Sequence, residues 1–216
     1  LRSEPLILGF DTSAAHCAAA LLAGEALLEA RFEAMAKGQA ERLMPMLEEM
    51  LVRAGVGWRD LAALGVGTGP GNFTGVRISV AAARGLALAL GIPAVGVSGL
   101  EAAAFGLPRP LVVAMDARRG EVYAQAFGPD GAARLATAEA LAGELVTGQA
   151  VTGSAAPALA GAVPGLRLLD AAMPLAEAVA RLAAARRATP QPRPAPLYLR
   201  TADAALPGEP APVIVP

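Results

Sequence analysis

Three stretches of this chain carry residue types able to do chemistry. Residues 67–77 read GTGPGNFTGVR, residues 11–13 are Asp-Thr-Ser at the end of an apolar run, and Asp116 closes a second such run, LVVAMD. A glycine-rich turn leading into a helix can hold a phosphate, because the first amides of the helix have no intrahelical partner and the helix dipole favours an anion there. The spacing excludes the two common forms of that device. A P-loop needs Lys and then Ser or Thr directly after its second glycine. Starting from Gly69, the second glycine arrives one place late, at Gly75, and Val76 and Arg77 follow it. The dinucleotide pattern G-x-G-x-x-G misses its last glycine from every start: Gly65 leads to Pro70, Gly67 to Asn72 and Gly69 to Thr74. What survives is a strand over 61–67 turning through glycines and Pro70 into a helix capped by Asn72 or Thr74. Such a turn serves either an anion or a chain reversal that needs glycine for steric reasons.

The two aspartates are open to two readings as well. Carboxylates facing each other from strand ends suit a metal ion and nucleotide phosphates held between two domains, but Asp is also a turn residue whose carboxylate bonds nearby amides. His16 is the one histidine and Cys17 the one cysteine, too few for an ordinary zinc site of three or four ligands. Ser13 beside His16 has no evident third group to orient it for nucleophilic catalysis. We expect His16 to be structural and Cys17 to be a small buried residue. A single cysteine excludes an internal disulfide and fits a cytoplasmic protein.

The elements that position these residues come in two similar sets. Residues 6–11 (LILGFD) and 111–116 (LVVAMD) each read as a buried strand ending in aspartate. Each is followed by a turn and a second strand, CAAALLAG or VYAQAFG, then by a third strand, EALLEARFE or the weaker GAARLATA, and then by helical patterns. The Gly-Pro-Asp-Gly of 128–131 is a hairpin signal. The pattern predicts an α/β fold made of a duplicated unit, mixed sheets flanked by helices. The expected division is an N-terminal half over 1–106 and a smaller C-terminal half over 107–216 with a Pro-rich tail.

Two helices of the first half carry more apolar surface than one core needs. On a wheel, the apolar residues of 39–54 (QAERLMPMLEEMLVRA) cover an arc of roughly 160°, against about 100° for an ordinary surface helix. Pro45 is expected to kink its first turn or mark its true start. The helix over about 75–90 is apolar nearly all round, interrupted by Ser79 and by Arg77 and Arg84 on one face. Its run of alanines and Gly85 would let another helix approach closely. Leu43, Met46, Leu47 and Met50 on the first helix, with Val76, Arg77, Val80, Ala82 and Ala83 on the second, are therefore expected to form a partner interface. A charge placed at Val76 or Ala82 is expected to abolish pairing and leave the monomer folded.

The 216 residues are 55% hydrophobic and 17% charged with net charge −1, and much of the apolar fraction is alanine. The uncharged run 85–100 is broken by Gly91 and Pro93 and falls short of the roughly 18 to 20 residues of a membrane span, so no membrane is expected. Residues 1–10 include an acidic residue and show no cleavage site, so no signal peptide is expected, and the absent initiator Met suggests a trimmed or unusual start. The near-neutral charge gives no global field for nucleic acid. The local arginines 118, 119, 181, 186, 187, 193 and 200 are expected to be solvated faces.

Taken in order, ILGFDTS, ERLMPML, GTGPGNFTGVR, GLALALGIPAVGVS, DARRGEVYAQAF and PLYLR resemble the TsaB family, also called YeaZ, over about residues 6–203. The resemblance implies an actin-like, Hsp70-like duplicated fold with ribonuclease H-like halves. It implies a role in making N6-threonylcarbamoyladenosine at position 37 of tRNAs that read codons starting with A, from a threonylcarbamoyl-adenylate supplied by a separate synthase. It also implies that the chain is the non-catalytic partner of its paralogue TsaD. The ATPase TsaE would join the pair, tRNA would be reached indirectly, and the chain alone would form a homodimer through its first two helices. TsaD-type relatives carry a metal-binding His-x-x-x-His after their GIP motif; the matching positions here are Gly99 and Ala103, so no metal and no metallopeptidase activity is expected. Thr68, Asn72 and Gly38-Gln39 stand where relatives often carry Arg, Ser and His, so polar contacts across the interface are expected to differ. The resemblance leaves room for a residual, weak ATP or ADP contact at Asp11, Thr12, Ser13, Gly69 and Gly71, better formed in the complex than alone. The competing reading is an autonomous actin-like ATPase. PLYLR is expected to pack in extended form on the body, with the last residues mobile.

Overall fold

The computed structural model describes residues 4–128 and 131–200. Two five-stranded sheets repeat one topology. The first contains β1 (Leu6–Asp11), β2 (His16–Ala23), β3 (Ala26–Ala34), β4 (Leu61–Gly67) and β5 (Ala94–Val97) in the order β3-β2-β1-β4-β5. The second contains β6 (Leu111–Asp116), β7 (Glu121–Phe127), β8 (Arg134–Thr137), β9 (Ala150–Thr152) and β10 (Arg167–Leu168) in the order β10-β9-β6-β7-β8. In each, two antiparallel hairpin pairings are followed by parallel pairings on the other side of the first strand. This is the duplicated actin-like architecture. The turn expected at 128–131 and the tail beyond Arg200 lie, in whole or in part, outside the described residues.

The helices are α1 (Gln39–Ala54), α2 (Phe73–Leu90), α3 (Gly99–Ala104), α4 (Ala138–Glu144), α5 (Ala156–Ala162) and α6 (Leu175–Arg186). β1 and β2 read as unbroken apolar runs because both faces of their sheet are covered. Successive side chains point to opposite faces. Leu6, Leu8 and Phe10 meet α1 and α2 in one cluster, and Ile7, with Ala18 and Ala20, meets α6 in another.

The returning helix crosses the halves. α6 follows the second sheet in sequence but packs on β1, β2 and β4 of the first. Conversely, α3 sends Leu100 and Ala104 into the core of the second sheet. A division at residue 106 thus separates the two sheets but not the helices that cover them. The seat of α6 is made by two glycines, Gly9 and Gly65, which are register partners on β1 and β4. A Cβ at Gly9 would lie 2.6 Å from Ala180 N, and one at Gly65 would lie 2.7 Å from Val179 O.

α1 runs unbroken through Pro45 from Gly38 to Gly55, so the proline neither starts the helix nor ends it. Gly55, at φ 66°, ends it in the left-handed conformation that glycine adopts without penalty. An ion-pair cluster ties α1 to β3: Arg42 reaches Glu33 at 2.6 Å and Glu49 at 2.7 Å, and Arg31 reaches Glu49 at 2.8 Å. The arginine hydrogen bonds hold Glu49 down to about 2 and Glu33 below the usual carboxylate range.

By length and composition, α2 is a helix able to cross a membrane. A search for charge-free runs passes over it because it carries Arg77 and Arg84. It packs on β4 and α1 through Gly75, Val76, Ser79, Val80 and Ala83, five residues of its eighteen. The other thirteen retain accessible surface. After α6, residues 190–200 carry no helix or strand and pack against the body of the molecule, where the sequence places PLYLR. Leu197 N donates to Thr68 O at 2.8 Å, and Arg200 donates to Ala117 O at 2.9 Å in the first turn of the second half.

Candidate functional site

The residues singled out for a phosphate are together, but folded in on one another. Asp11 and Thr12 are fully buried and Ser13 nearly so. One carboxylate oxygen of Asp11 accepts from Ser13 N and Ser13 Oγ, both at 2.9 Å, and lies 2.8 Å from His16 Nε2. His16 is itself buried against the ring of Phe32. Asp11 Oδ2 faces Gly67 and has no hydrogen-bond partner among the described residues. Gly71 and Gly75 lie against the carbonyls of Ser13 and Thr12, so that a side chain at either would collide with backbone. Asn72 N donates to Ser13 O, and Thr12 Oγ1 donates to Gly75 O.

These contacts close the glycine loop onto the β1–β2 turn. Asn72 Oδ1 caps α2 by accepting from Thr74 N and Gly75 N, and Asn72 O accepts from Val76 N. The amides of Asn72, Thr74, Gly75 and Val76 are therefore already engaged. As they stand, Asp11, Thr12, Ser13 and Gly71 do not fit a nucleotide phosphate. Gly69, at φ 87°, is a turn glycine whose carbonyl accepts from Gly99 N. The glycines of this loop are needed for close approach of backbone to backbone.

The second aspartate differs. Asp116 is exposed; its Oδ1 accepts from Arg118 N, and its own amide donates to Ser154 Oγ. Its carboxylate serves its own turn. Nor do the residues present fit a metal: among the described residues no three His, Cys, Asp or Glu side chains come together, and Gly99 and Ala103 offer no donor. Burial pushes the Cys17 thiol up to about 11, which keeps it in its unreactive form at neutral pH.

The expected interface needs a correction. Leu43, Met46, Leu47 and Met50 of α1, and Val76, Val80 and Ala83 of α2, are buried in the chain's own core. The wide arc of α1 is wide because α1 is covered on two sides, by β2 and β3 and by α2. Of the nine residues, Arg77 is exposed and Ala82 half-buried. A charge at Val76, 1% exposed, would disrupt the monomer.

The surface that remains open is the outer face of α2. Phe73, Arg77, Ala81, Gly85 and Leu88 are exposed at helical spacing, and Leu88 is 80% accessible. Met44 and Val52 of α1 are exposed as well. At the start of the face, Arg77 lies 3.7 Å over the Phe73 ring and donates from Nε to Tyr198 OH at 2.9 Å, and Tyr198 packs on Phe73. Sequence reasoning misses Tyr198, which joins this cluster from far along the chain. The arrangement has the chemistry of a protein-docking surface: aromatic and arginine anchors beside small residues, with an apolar helix wall.

Residues 33–151 match the family model described as TsaD: tRNA N6-adenosine threonylcarbamoyltransferase. The chain is 40% identical over 122 residues to the tRNA threonylcarbamoyladenosine biosynthesis protein TsaB of Escherichia coli, covering 54% of this chain and 52% of that protein. It is 35% identical over 201 residues to an uncharacterized protein of Mycobacterium tuberculosis, covering 92% of this chain and 93% of that one. The solved structure of YeaZ from Pseudomonas aeruginosa is similar with a TM-score of 0.67 at 28% identity, covering 90% of this chain and 100% of that one. The chain spans about half the length of the curated TsaB relatives it matches.

Proposed function

Because the chain belongs to the TsaB/YeaZ family, we propose that it acts in forming N6-threonylcarbamoyladenosine on tRNA as a non-catalytic subunit that pairs with a TsaD paralogue. The observation that carries this reading is the open apolar face of α2, from Phe73 to Leu88, on a helix that its own core covers only in part. A specific contact buries about 800 Å² per partner, and this face with the exposed residues of α1 is the surface suited to supply it. The same face would serve a homodimer when the chain is alone. TsaE would join the assembled pair, and tRNA would be held through the partner.

Reconstitution tests the role. With the paralogue, TsaE and the synthase present, tRNA modification is expected to fall to background when this chain is left out and to return when it is added. Full-speed modification without it would overturn the proposal.

The competing reading, an autonomous ATPase of the same fold, needs Asp11 at a nucleotide. Asp11 is instead sealed beneath the glycine loop. Nucleotide is therefore expected to bind the isolated chain weakly, and calorimetry giving a micromolar dissociation constant for ATP would contradict this.

A further inference from the structure

The arginines that cluster in the last third of the sequence do not share one fate. Arg181 pairs with Glu177 and Glu25, Arg186 with Glu101, and Arg200 with Glu121. Arg187 and Arg193 form no ion pair among the described residues; Arg187 donates to Ala184 O in its own helix end. Both line a groove of about 500 Å³ where the C-terminal ends of α2 and α6 meet the proline-rich segment. Arg84 lines it too, with its Nε donating to Pro194 O. Among the described residues no carboxylate lines the groove, and its apolar wall includes Ala87, Leu88 and Pro93.

We propose that this groove binds a short acidic peptide segment of a partner protein, with carboxylates on Arg84, Arg187 and Arg193 and an apolar side chain on the wall at Ala87 and Pro93. Three guanidinium groups with no opposing charge among the described residues set the sign of the ligand, and a guanidinium matches a carboxylate with two parallel hydrogen bonds. The rest of the lining separates peptide from RNA. Single-stranded RNA is held by aromatic side chains on which bases stack, and among the described residues no aromatic side chain lines this groove. An apolar wall with a charged rim is the arrangement of a peptide site, in which a buried side chain anchors and the rim orients.

The test uses the full chain, an array of short peptides carrying one Leu, Ile or Phe among Asp and Glu residues, the same array with Lys in place of the acids, and a labelled single-stranded RNA. Acidic members are expected to bind, the Lys array not to bind, and Arg187→Glu with Arg193→Glu to weaken acidic-peptide binding by about tenfold or more. Both side chains are exposed, so an unchanged melting temperature and unchanged pairing with the TsaD paralogue are expected in the same variant. Absence of any acidic binder, or acidic binding indifferent to the charge reversal, would overturn the proposal. RNA binding that is tighter than the best peptide and lost in that variant would overturn it in favour of nucleic acid.

Discussion

Gly85→Arg is expected to weaken pairing by about a hundredfold while leaving the isolated chain as stable as before or slightly more so. Gly85 sits inside α2, is exposed, and has open space where its Cβ would be built. In the monomer a Cβ there meets nothing within 4 Å, and replacing glycine within a helix gains about 0.5 to 1 kcal/mol from the smaller backbone entropy lost on folding. Across a helix pair the same side chain stands where Ala81, Gly85 and Ala89 allow two backbones to approach. Truncations at the centre of an interface cost about 2 kcal/mol or more, and a bulky cation in a dry contact costs at least as much. Association of the chain with itself or with the paralogue, measured by analytical ultracentrifugation, should weaken by about a hundredfold. Ala81→Glu, one turn earlier and also exposed, should act the same way. Pairing that survives both variants would remove the α2 face from the interface.

The second large effect is on stability. Gly9→Ala and Gly65→Ala should each destabilise the chain by about 3 kcal/mol or more, since overpacking against backbone cannot be relieved by a change of rotamer. The new methyl groups would sit 2.6 Å from Ala180 N and 2.7 Å from Val179 O, both on α6. For a chain of this size the loss corresponds to a fall in melting temperature on the order of 10 °C. Gly143→Ala is the control: it lies in exposed helix with open space at its Cβ and should melt at or slightly above the parent. A Gly65→Ala variant that melts with the parent would mean that α6 is not seated on this sheet.

Much of the fold is legible in the sequence because burial on both faces leaves a plain mark. LILGFD and LVVAMD read as continuous apolar strands, and the helix pattern at 39–54 gives the bounds of α1. The destination of an apolar face is less legible. Periodicity shows that α1 has a wide arc, but not that β2, β3 and α2 already cover it, so seven residues assigned to a partner belong to the interior. Leu88 and Ala81, which face outward, differ from Val80 and Ala83 only by where the helix happens to lie on β4. Gly9 and Gly65 carry a readable signal, since glycine within a strand often marks close backbone approach. What they approach, α6, is more than a hundred residues further on, a distance over which pattern alone does not match faces. The glycine loop is a similar case: its composition suits an anion, and its contacts with Ser13 and Thr12 show that it is fitted to its own chain.

The exchange of helices between the halves fixes an order of events during synthesis. β1 to β5, α1 and α2 emerge from the ribosome first and can close one side of their sheet at once. The other side, with Ile7, Ala18, Ala20 and Val95, waits until α6 has been translated. The earliest-made half is therefore the last to be finished, and until then a greasy wall stands bare in the nascent chain.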